Sequence, residues 1–332
     1  MTIDGCPPGI SLSWEDFETD LARRKSGAKG TTQRKESDTP RLISGVYQGH
    51  TTGAPLTILF ENSDTRSEDY ADFTDIPRPG HADFTARKKY SGFNDPRGGG
   101  HFSGRITIGL VAAGVIAKKI ITPVEVKARL TEVGGEKEIE HVMEKAIAAN
   151  DSIGGIVECM VNQIPVGFGE PFFDSLESLI SHMIFSIPAI RGIEFGAGFG
   201  SAKMSGSEHN DSFVSANGRT ETNNAGGING GISNGNPLVF RVAVKPASSI
   251  SEKQRTMNMA TGEMVDLKIR GRHDACIALR VPVIVEAVTA IVLADLFLTS
   301  NQYQVKSKKI KVGRGKNESQ RRRDTEAQRR ET

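Results

Sequence analysis

Apolar residues recur at helical spacing near the start of the chain. Trp14, Phe17 and Leu21 lie one turn apart, directly after Ser13 and Asp16. A serine followed three residues later by an acidic residue is typical of a helix N-terminus. By the same criteria, further helices are predicted at 106–121, at 136–149, from the Asp174-x-x-Glu177 pattern to about Ile187, and at 282–299.

The predicted helix at 282–299 is the longest apolar run in the chain. It contains Glu286 and Asp295, it is barely long enough to span a bilayer, and Pro282 suits its first turn. We therefore expect a buried core helix and no membrane association.

Alternating apolar and polar residues predict the strands of the protein. A hairpin is expected from 41–48 and 55–61, and single strands at 122–132, 156–162, 190–195 and 237–245. Two long polar stretches, 62–105 and 196–236, separate these segments, and loops of such length are usually functional or disordered. The charges and aromatics of 62–105 favour function. Since the elements do not follow a βαβ order throughout, an α+β fold is expected, with a weak internal echo that indicates two similar halves.

Composition narrows the class of protein. The 332 residues suffice for one large domain or two medium ones, and 37% hydrophobic with 25% charged residues fits a soluble globular protein. The three cysteines are isolated, which predicts neither disulfides nor a metal site and fits a reducing compartment. The start lacks the pattern of a signal peptide, so the expected location is the cytoplasm.

Basic, glycine-rich polar segments carry the candidate chemistry. Glycine allows close approach of the backbone to a ligand, and neighbouring Arg or Lys supplies charge for phosphate or carboxylate. Formal net charge is only +2, so these clusters are local. Together they predict a pocket for a multiply anionic small molecule. The segments are Arg78-Pro-Gly-His81-Ala-Asp83, Arg97-Gly-Gly-Gly-His101-Phe-Ser103-Gly-Arg105, Asn223-Asn-Ala-Gly-Gly-Ile-Asn-Gly-Gly231, Lys245-Pro-Ala-Ser-Ser249 and Gly271-Arg272-His273-Asp274.

Individual residues in these segments have competing interpretations. Ser103 and Arg105 open the predicted helix at 106, where free N–H groups favour an anion. His81 is held in a tight polar turn and suits proton transfer. Asp274 is either a structural ion-pair partner or a carboxylate held near a ligand, and the local sequence leaves both open.

The ordered set of motifs resembles the chorismate synthase family over residues 3–298. The resemblance implies an α+β fold with a helical layer between two antiparallel sheets, internal pseudo-duplication and a homotetramer. It implies a carbon–oxygen lyase (EC 4.2.3.5) of the shikimate pathway of aromatic amino-acid biosynthesis. The implied reaction is a 1,4-anti elimination of phosphate from 5-enolpyruvylshikimate 3-phosphate, giving chorismate. The implied cofactor is reduced FMN, used without net redox change, with NADPH as a candidate flavin reductant; no metal is implied. The resembling motifs include Thr31-Thr-Gln-Arg34, Glu61-Asn-Ser-Asp64, Ala112-Ala-Gly-Val, Asp151-Ser-Ile-Gly-Gly, Gly169-Glu-Pro and the five segments above.

The resemblance also implies roles for individual residues. His81 and Asp274 match catalytic positions, His81 acting on the reduced flavin and Asp274 in proton removal. The matched substrate-binding residues are Arg24, Lys29, Arg34, Arg78 and Arg105. The matched cofactor-binding residues are His101, Phe102, Ser103, Pro188, Ala189, Gly230, Lys245, Pro246, Ala247, Ser248, Ser249 and Arg272.

This chain departs from the family pattern at several of these positions. His101 and Phe102 replace two residues of a usual Arg-Ser-Ser, and Pro188 replaces an Asn. Lys29 replaces a common Arg and loses its bidentate fork. A Gly-Glu-Ser-His-Gly segment, whose histidine is the expected acid for the leaving phosphate, precedes Asp4-Gly in the family but not in the sequence given. Because general acid catalysis is worth about 10²–10⁴-fold, weak or no turnover is expected of the sequence as given.

Two alternatives remain open at this point. The first, within the family, is that the chain is an inactive flavin- or substrate-binding paralogue lacking that histidine. The second, of another class, is that the chain is a nucleic-acid-binding protein. Arg-Gly-Gly-Gly and the basic tail suggest this, although no recognised nucleic-acid-binding motif accompanies them. We favour a synthase domain at 1–304 that binds no nucleic acid, followed by a solvated, disordered basic tail at 305–332.

Overall fold

The computed structural model describes residues 1–32, 37–61, 73–95, 97–269 and 273–300. The described α-helices are α1 Trp14–Arg24, α2 Asp83–Lys89, α3 Thr107–Ile120, α4 Ile139–Ala148, α5 Leu176–Ile184, α6 Gly206–His209 and α7 at 281–300. The described strands are β1 Thr2–Ile3, β2 Arg41–Ser44, β3 Val46–Tyr47, β4 His50–Thr51, β5 Leu56–Leu59, β6 Glu125–Val133, β7 Gly155–Asn162, β8 Ile190–Phe195, β9 Ile228–Asn229, β10 Ile232–Ser233, β11 Leu238–Val244, β12 Gln254–Met257 and β13 Met264–Leu267. These elements confirm the expected α+β class.

Antiparallel pairing organises the strands into two larger sheets. One has the order β1-β5-β2 and the other β6-β7-β11-β8, while β3–β4, β9–β10 and β12–β13 form separate two-stranded ladders. Residues of β11 alternate between buried and half-buried along its whole length, from Leu238 to Val244. The larger sheet therefore turns one face to the core.

The core joins the inner face of the larger sheet to the helices. Ala287, Val288 and Thr289 of α7 are fully buried. Gly114 of α3 touches Ala287, and Met1 beside β1 approaches Gly109 on the same helix. Helix α1 packs on α3. Helices thus fill the space next to both sheets.

A buried carboxylate ties α7 to three neighbouring elements. Glu286 receives hydrogen bonds from both terminal nitrogens of Arg23 at 2.7 Å, from Lys118 Nζ at 2.9 Å and from the Ala128 backbone at 2.9 Å. Burial alone would raise the pKa of Glu286, but these partners outweigh it and lower that pKa. The charge inside the predicted core helix is therefore structural, with each oxygen hydrogen-bonded.

The segment Ile277–Ser300 is long and apolar enough, by length and composition, to cross a membrane. Within its most apolar window 67% of the residues are buried inside the protein. That burial matches the core helix expected from the sequence.

The capping residues predicted from sequence match the start of one helix and miss the start of another. Ser13 and Asp16 form the predicted capping box of α1, with the Ser13 N–H donating to Asp16 Oδ2 at 2.8 Å. The predicted cap at Asp174 is wrong by one residue. Asp174 ends a 3-10 turn, and Ser175 caps α5 by accepting from the Ser178 N–H at 3.1 Å.

Three features of the strands and loops differ from the prediction. The first hairpin exists as the β2–β5 pair, but the small β3–β4 ladder lies inside it. The polar stretch 62–105 contains α2, and the β12–β13 hairpin was not predicted. Strands β6, β7, β8 and β11 confirm the other strand predictions to within three residues.

Replacing Gly114 by Ala should destabilise the protein, because a methyl group there would overlap Ala287 Cβ and lie 2.5 Å from its Cα. Overpacking of this kind costs about 1–3 kcal/mol. Gly109→Ala, on the same helix, is the matched control: its methyl group would meet only Met1, at 3.4 Å or more. Urea denaturation should show a lower midpoint for Gly114→Ala alone. Equal midpoints for both variants would contradict the close α3–α7 contact.

Candidate active site

A cavity of about 940 Å³ lies where the polar segments converge. Its walls come from the end of α1, from residues 78–85 and 101–107, from 185–191 and 245–249, and from 273–284. Its volume is at the upper end of the range of small-molecule sites, so one large or two smaller ligands fit it.

Positive charge dominates the described walls of this cavity. Only Asp38 and Asp274 oppose seven cationic side chains. A cleft lined by one sign of charge concentrates ligands of the opposite sign. The cavity is therefore suited to an anion with several charges. The seven are Arg24, Lys25, Arg78, Arg105, Arg191, Lys245 and Arg280.

Asp38 holds two of these arginines in place. Its carboxylate is 3% exposed and accepts from Arg24 Nη1 at 3.2 Å and from Arg105 Nη1. Arg24 is itself 2% exposed and donates to the carbonyls of Gly104 and Arg105 at 3.3 and 3.1 Å. The network fixes two guanidinium groups at one end of the cavity, next to Ser103, whose hydroxyl accepts from the Arg105 N–H.

A second cluster joins Arg78, His81 and Asp83. Arg78 donates through Nε and Nη2 to the two Asp83 oxygens at 2.8 Å each, and His81 Nδ1 lies 2.6 Å from Asp83 Oδ1. Burial favours a raised pKa for Asp83, but the hydrogen bonds from Arg78 and His81 outweigh it and hold the pKa far below its ordinary value. Asp83 is thus ionised at neutral pH.

The segment 245–249 adjoins this cluster and is hydrogen-bonded to it directly. Lys245 Nζ donates to the Gly80 carbonyl at 2.6 Å and to Ser248 Oγ at 2.9 Å. The Ser249 hydroxyl accepts from Arg78 Nη1 at 2.9 Å. Burial and the nearby charge of Arg191 lower the pKa of Lys245. This wall offers hydroxyls and a cation at short range.

Asp274 accepts its shortest hydrogen bond from Thr32, a residue near the other end of the chain. Its Oδ1 accepts from the Thr32 N–H at 2.8 Å, and Oδ2 lies 3.4 Å from Arg280 Nη1. Arg280 Nε donates to the Arg24 carbonyl at 2.8 Å, which links Asp274 to the Arg24 network. The structural ion pair that the sequence allowed is present, and Asp274 also lines the cavity; its role near a ligand stays a prediction.

One side of the cavity is apolar. Phe102 and Phe185 expose part of their rings there, and Ala189 lines it with a positive φ of 75°. The remaining apolar residues of the cavity lining are Ala82, Ile106, Ile187, Pro188, Pro246, Ala247, Ile277, Val281 and Ile284. Apolar surface beside hydroxyls and cations suits a ligand that has both an apolar part and polar or charged groups.

Most of the predicted site residues meet at this cavity. Lys29 does not: it forms a solvent-exposed ion pair with Glu144. Gly230 lies in the turn between β9 and β10, away from the cavity wall. Arg34 and Arg272 lie outside the described residues. The residues that do line it are Arg24, Arg78, His81, His101, Phe102, Ser103, Arg105, Pro188, Ala189, Lys245, Pro246, Ala247, Ser248, Ser249 and Asp274.

Sequence reasoning missed four charged residues of the cavity. Lys25, Asp38, Arg191 and Arg280 all line it, yet none stands in one of the five basic, glycine-rich segments. The only sequence signal for Asp38 as a site residue was its position four residues after Arg34 in a polar stretch. Arg191 and Arg280 lie at the starts of β8 and α7, where the sequence indicated structure rather than chemistry.

Fold and site together define an α+β protein with a deep, cationic small-molecule cavity. The family model named chorismate synthase matches residues 1–298, and the chain belongs to the chorismate synthase family. A chorismate synthase of Chitinophaga pinensis is 63% identical over 299 residues, covering 90% of each chain. One of Dehalococcoides mccartyi is 45% identical over 330 residues, covering 90% of this chain and 91% of that protein.

A solved structure supports the same fold. A crystal structure of chorismate synthase has a TM-score of 0.66 to this chain, covers 90% of it and 87% of its own chain, and is 23% identical in sequence. At that identity the likeness concerns the fold alone.

Proposed function

We propose that this chain is a chorismate synthase that eliminates phosphate from 5-enolpyruvylshikimate 3-phosphate. The observation that carries the proposal is the cavity with seven cationic side chains and two carboxylates among its described walls, in a chain of this family. The substrate bears a phosphate and two carboxylates, and planar guanidinium groups bind such anions bidentately.

The arginines bind the substrate in this proposal. Arg24 and Arg105 are held by Asp38, and Arg78 is held by Asp83, so their donor groups are oriented before the ligand arrives. Preorganised donors stabilise the charge that develops on a leaving phosphate without reorganising during the reaction. Lys29 and Gly230 do not line the cavity, so this proposal assigns them no contact with the ligands.

The apolar wall and segment 245–249 would hold the reduced FMN that this family uses. Pro188, Ala189 and Pro246 would contact its ring system, and Ser248 and Lys245 would supply polar contacts. When bound, reduced FMN supplies electron density to the reacting centre with no net redox change. Residues His101 to Ser103 complete the same wall.

Two side chains are placed for proton transfer. Asp274 takes part in removal of the C6 proton, since its carboxylate lines the cavity and is oriented by the Thr32 N–H. The His81 imidazole, which also lines the cavity, would hold and transfer a proton at the site of the reduced cofactor. Hydrogen bonds hold both side chains, His81 to Asp83 and Asp274 to the Thr32 N–H.

An anaerobic assay tests the function. Purified protein with photoreduced FMN and 5-enolpyruvylshikimate 3-phosphate should release phosphate and chorismate, and oxidised FMN should give none. Folded protein that perturbs the spectrum of reduced FMN but gives no product would instead support the alternative of a flavin-binding relative.

Three properties of the family are proposed for this chain as well. We infer the helical layer between two antiparallel sheets with internal duplication, a homotetramer, and a cytoplasmic location. Light scattering of the purified protein tests the tetramer directly. A monomer mass at micromolar concentration would contradict it.

A further inference from the structure

Asp83 stands behind two of the cavity residues without lining the cavity itself. It is the first residue of α2, and its carboxylate is 12% exposed. Arg78 and His81 lie between it and the ligand space. The roles proposed above leave this carboxylate without a part in the reaction.

The contacts of Asp83 determine which nitrogen of His81 carries a proton. An ionised carboxylate only accepts hydrogen bonds, so the 2.6 Å contact with Asp83 Oδ1 requires a proton on His81 Nδ1. Arg78 Nη2 lies 2.8 Å from the same Nδ1. Both nitrogens carry a proton in this arrangement, and both donate to Asp83 Oδ1. Nε2 is then the ring nitrogen without a proton; Arg78 Nη2 approaches it to 3.2 Å, and it is the nitrogen that can accept a proton from a ligand.

The same carboxylate also fixes the plane of Arg78. Nε and Nη2 are both bound to Asp83 at 2.8 Å, and the Arg78 backbone N–H donates to Oδ2 at 3.1 Å. Nη1 is held by Ser249 at 2.9 Å. Phe73 lies against the guanidinium, 4.4 Å from its centre to the ring centroid.

We propose that Asp83 is a positioning residue that fixes the Nδ1–H tautomer of His81 and the orientation of Arg78 at once. This inference rests on the proposed function of the cavity. A histidine in the wrong tautomer cannot transfer a proton at the intended nitrogen, and such losses are large in other enzymes. One carboxylate thereby couples a proton-transfer group to an anion-binding group.

The tautomer is measured on the unmodified protein. In ¹⁵N-edited NMR of the histidine-labelled, full-length chain above neutral pH, with His81→Gln assigning the signal, His81 should show the proton on Nδ1. A signal with the proton on Nε2 would overturn the proposal, whether or not the protein turns over substrate.

Kinetics of Asp83→Asn test the consequence for the reaction. An asparagine has one oxygen and one NH₂, so its NH₂ faces either the Arg78 Nε and backbone N–H at the Oδ2 position or His81 Nδ1 and Arg78 Nη2 at the Oδ1 position, and in both orientations a donor faces donors. We expect kcat to fall at least about 10²-fold, with a rise in KM. Asp75→Asn is the matched control, because Asp75 forms an exposed ion pair with Arg87 of the same helix.

The outcomes separate this inference from the proposed function. Asp83→Glu keeps two acceptor oxygens and should recover part of kcat, which a purely structural role in folding would not predict. Wild-type kcat and KM in folded Asp83→Asn would overturn the inference and leave the function standing. Inactivity of the wild-type protein would remove the function, while the NMR result still decides the tautomer.

Discussion

Asp274→Asn should lower kcat by about 10²–10⁴-fold, the range expected for loss of a group that takes part in proton transfer. The asparagine keeps an oxygen that can accept from the Thr32 N–H, so the local backbone should stay in place. Binding of substrate and of reduced FMN should change little, since the arginines and segment 245–249 are untouched. Stopped-flow phosphate release and equilibrium binding, both under anaerobic conditions, separate the two effects.

Asp266→Asn provides the comparison for this variant. Asp266 lies on β13 in an exposed ion pair with Lys253, and it does not line the cavity. Its kcat should equal that of the wild type. If kcat of folded Asp274→Asn stayed within threefold of the wild type, Asp274 would have no part in proton removal.

Asp38→Asn should lower the free energy of unfolding by about 3 kcal/mol. Removing one partner of a buried ion pair leaves an uncompensated buried charge, which costs about 3–5 kcal/mol, and the lower end applies because Arg105 keeps some contact with solvent. The variant should also bind substrate less tightly, because Arg24 and Arg105 lose their common anchor. Urea denaturation and substrate titration measure these two quantities.

The exposed pair of Lys29 and Glu144 is the matched control for the buried one. Both of its side chains are more than half exposed, and ion pairs in such positions contribute little to stability. Glu144→Gln should therefore leave the denaturation midpoint unchanged. Equal midpoints for Asp38→Asn and Glu144→Gln would show that burial does not strengthen the Arg24–Asp38 interaction.

Elements with a strong local pattern were predictable from sequence. Helix α1 has its capping box, α3 follows Ser103, and α7 is a continuous apolar run, so each could be located within a few residues. Hydrophobic periodicity shows which face of a helix or strand is buried, and it can be recognised without knowing which other element packs on that face. Strands β7 and β11 were found for the same reason.

Elements with weak local patterns were missed. Helix α2 is short and buries only Ala86, so its sequence has little apolar periodicity. Strands β12 and β13 pair only with each other and are largely exposed, which removes the alternation that marks a half-buried strand. The cap of α5 was placed at Asp174 because both Asp174 and Ser175 are suitable capping residues.

The sequence by itself determined the α+β class, the core helix α7 and the glycine-rich basic segments that mark an anion-binding site. It contained these facts because backbone freedom, periodicity and charge are properties of neighbouring residues. Only the tertiary structure decided which charges converge. Arg24 and Lys29 are five residues apart, yet one is buried beside Asp38 and the other pairs with Glu144 in solvent. Asp274 meets Thr32, and Arg280 meets Arg24, across most of the chain. Such contacts depend on how segments that are distant in sequence pack together, and no short stretch of residues determines that packing.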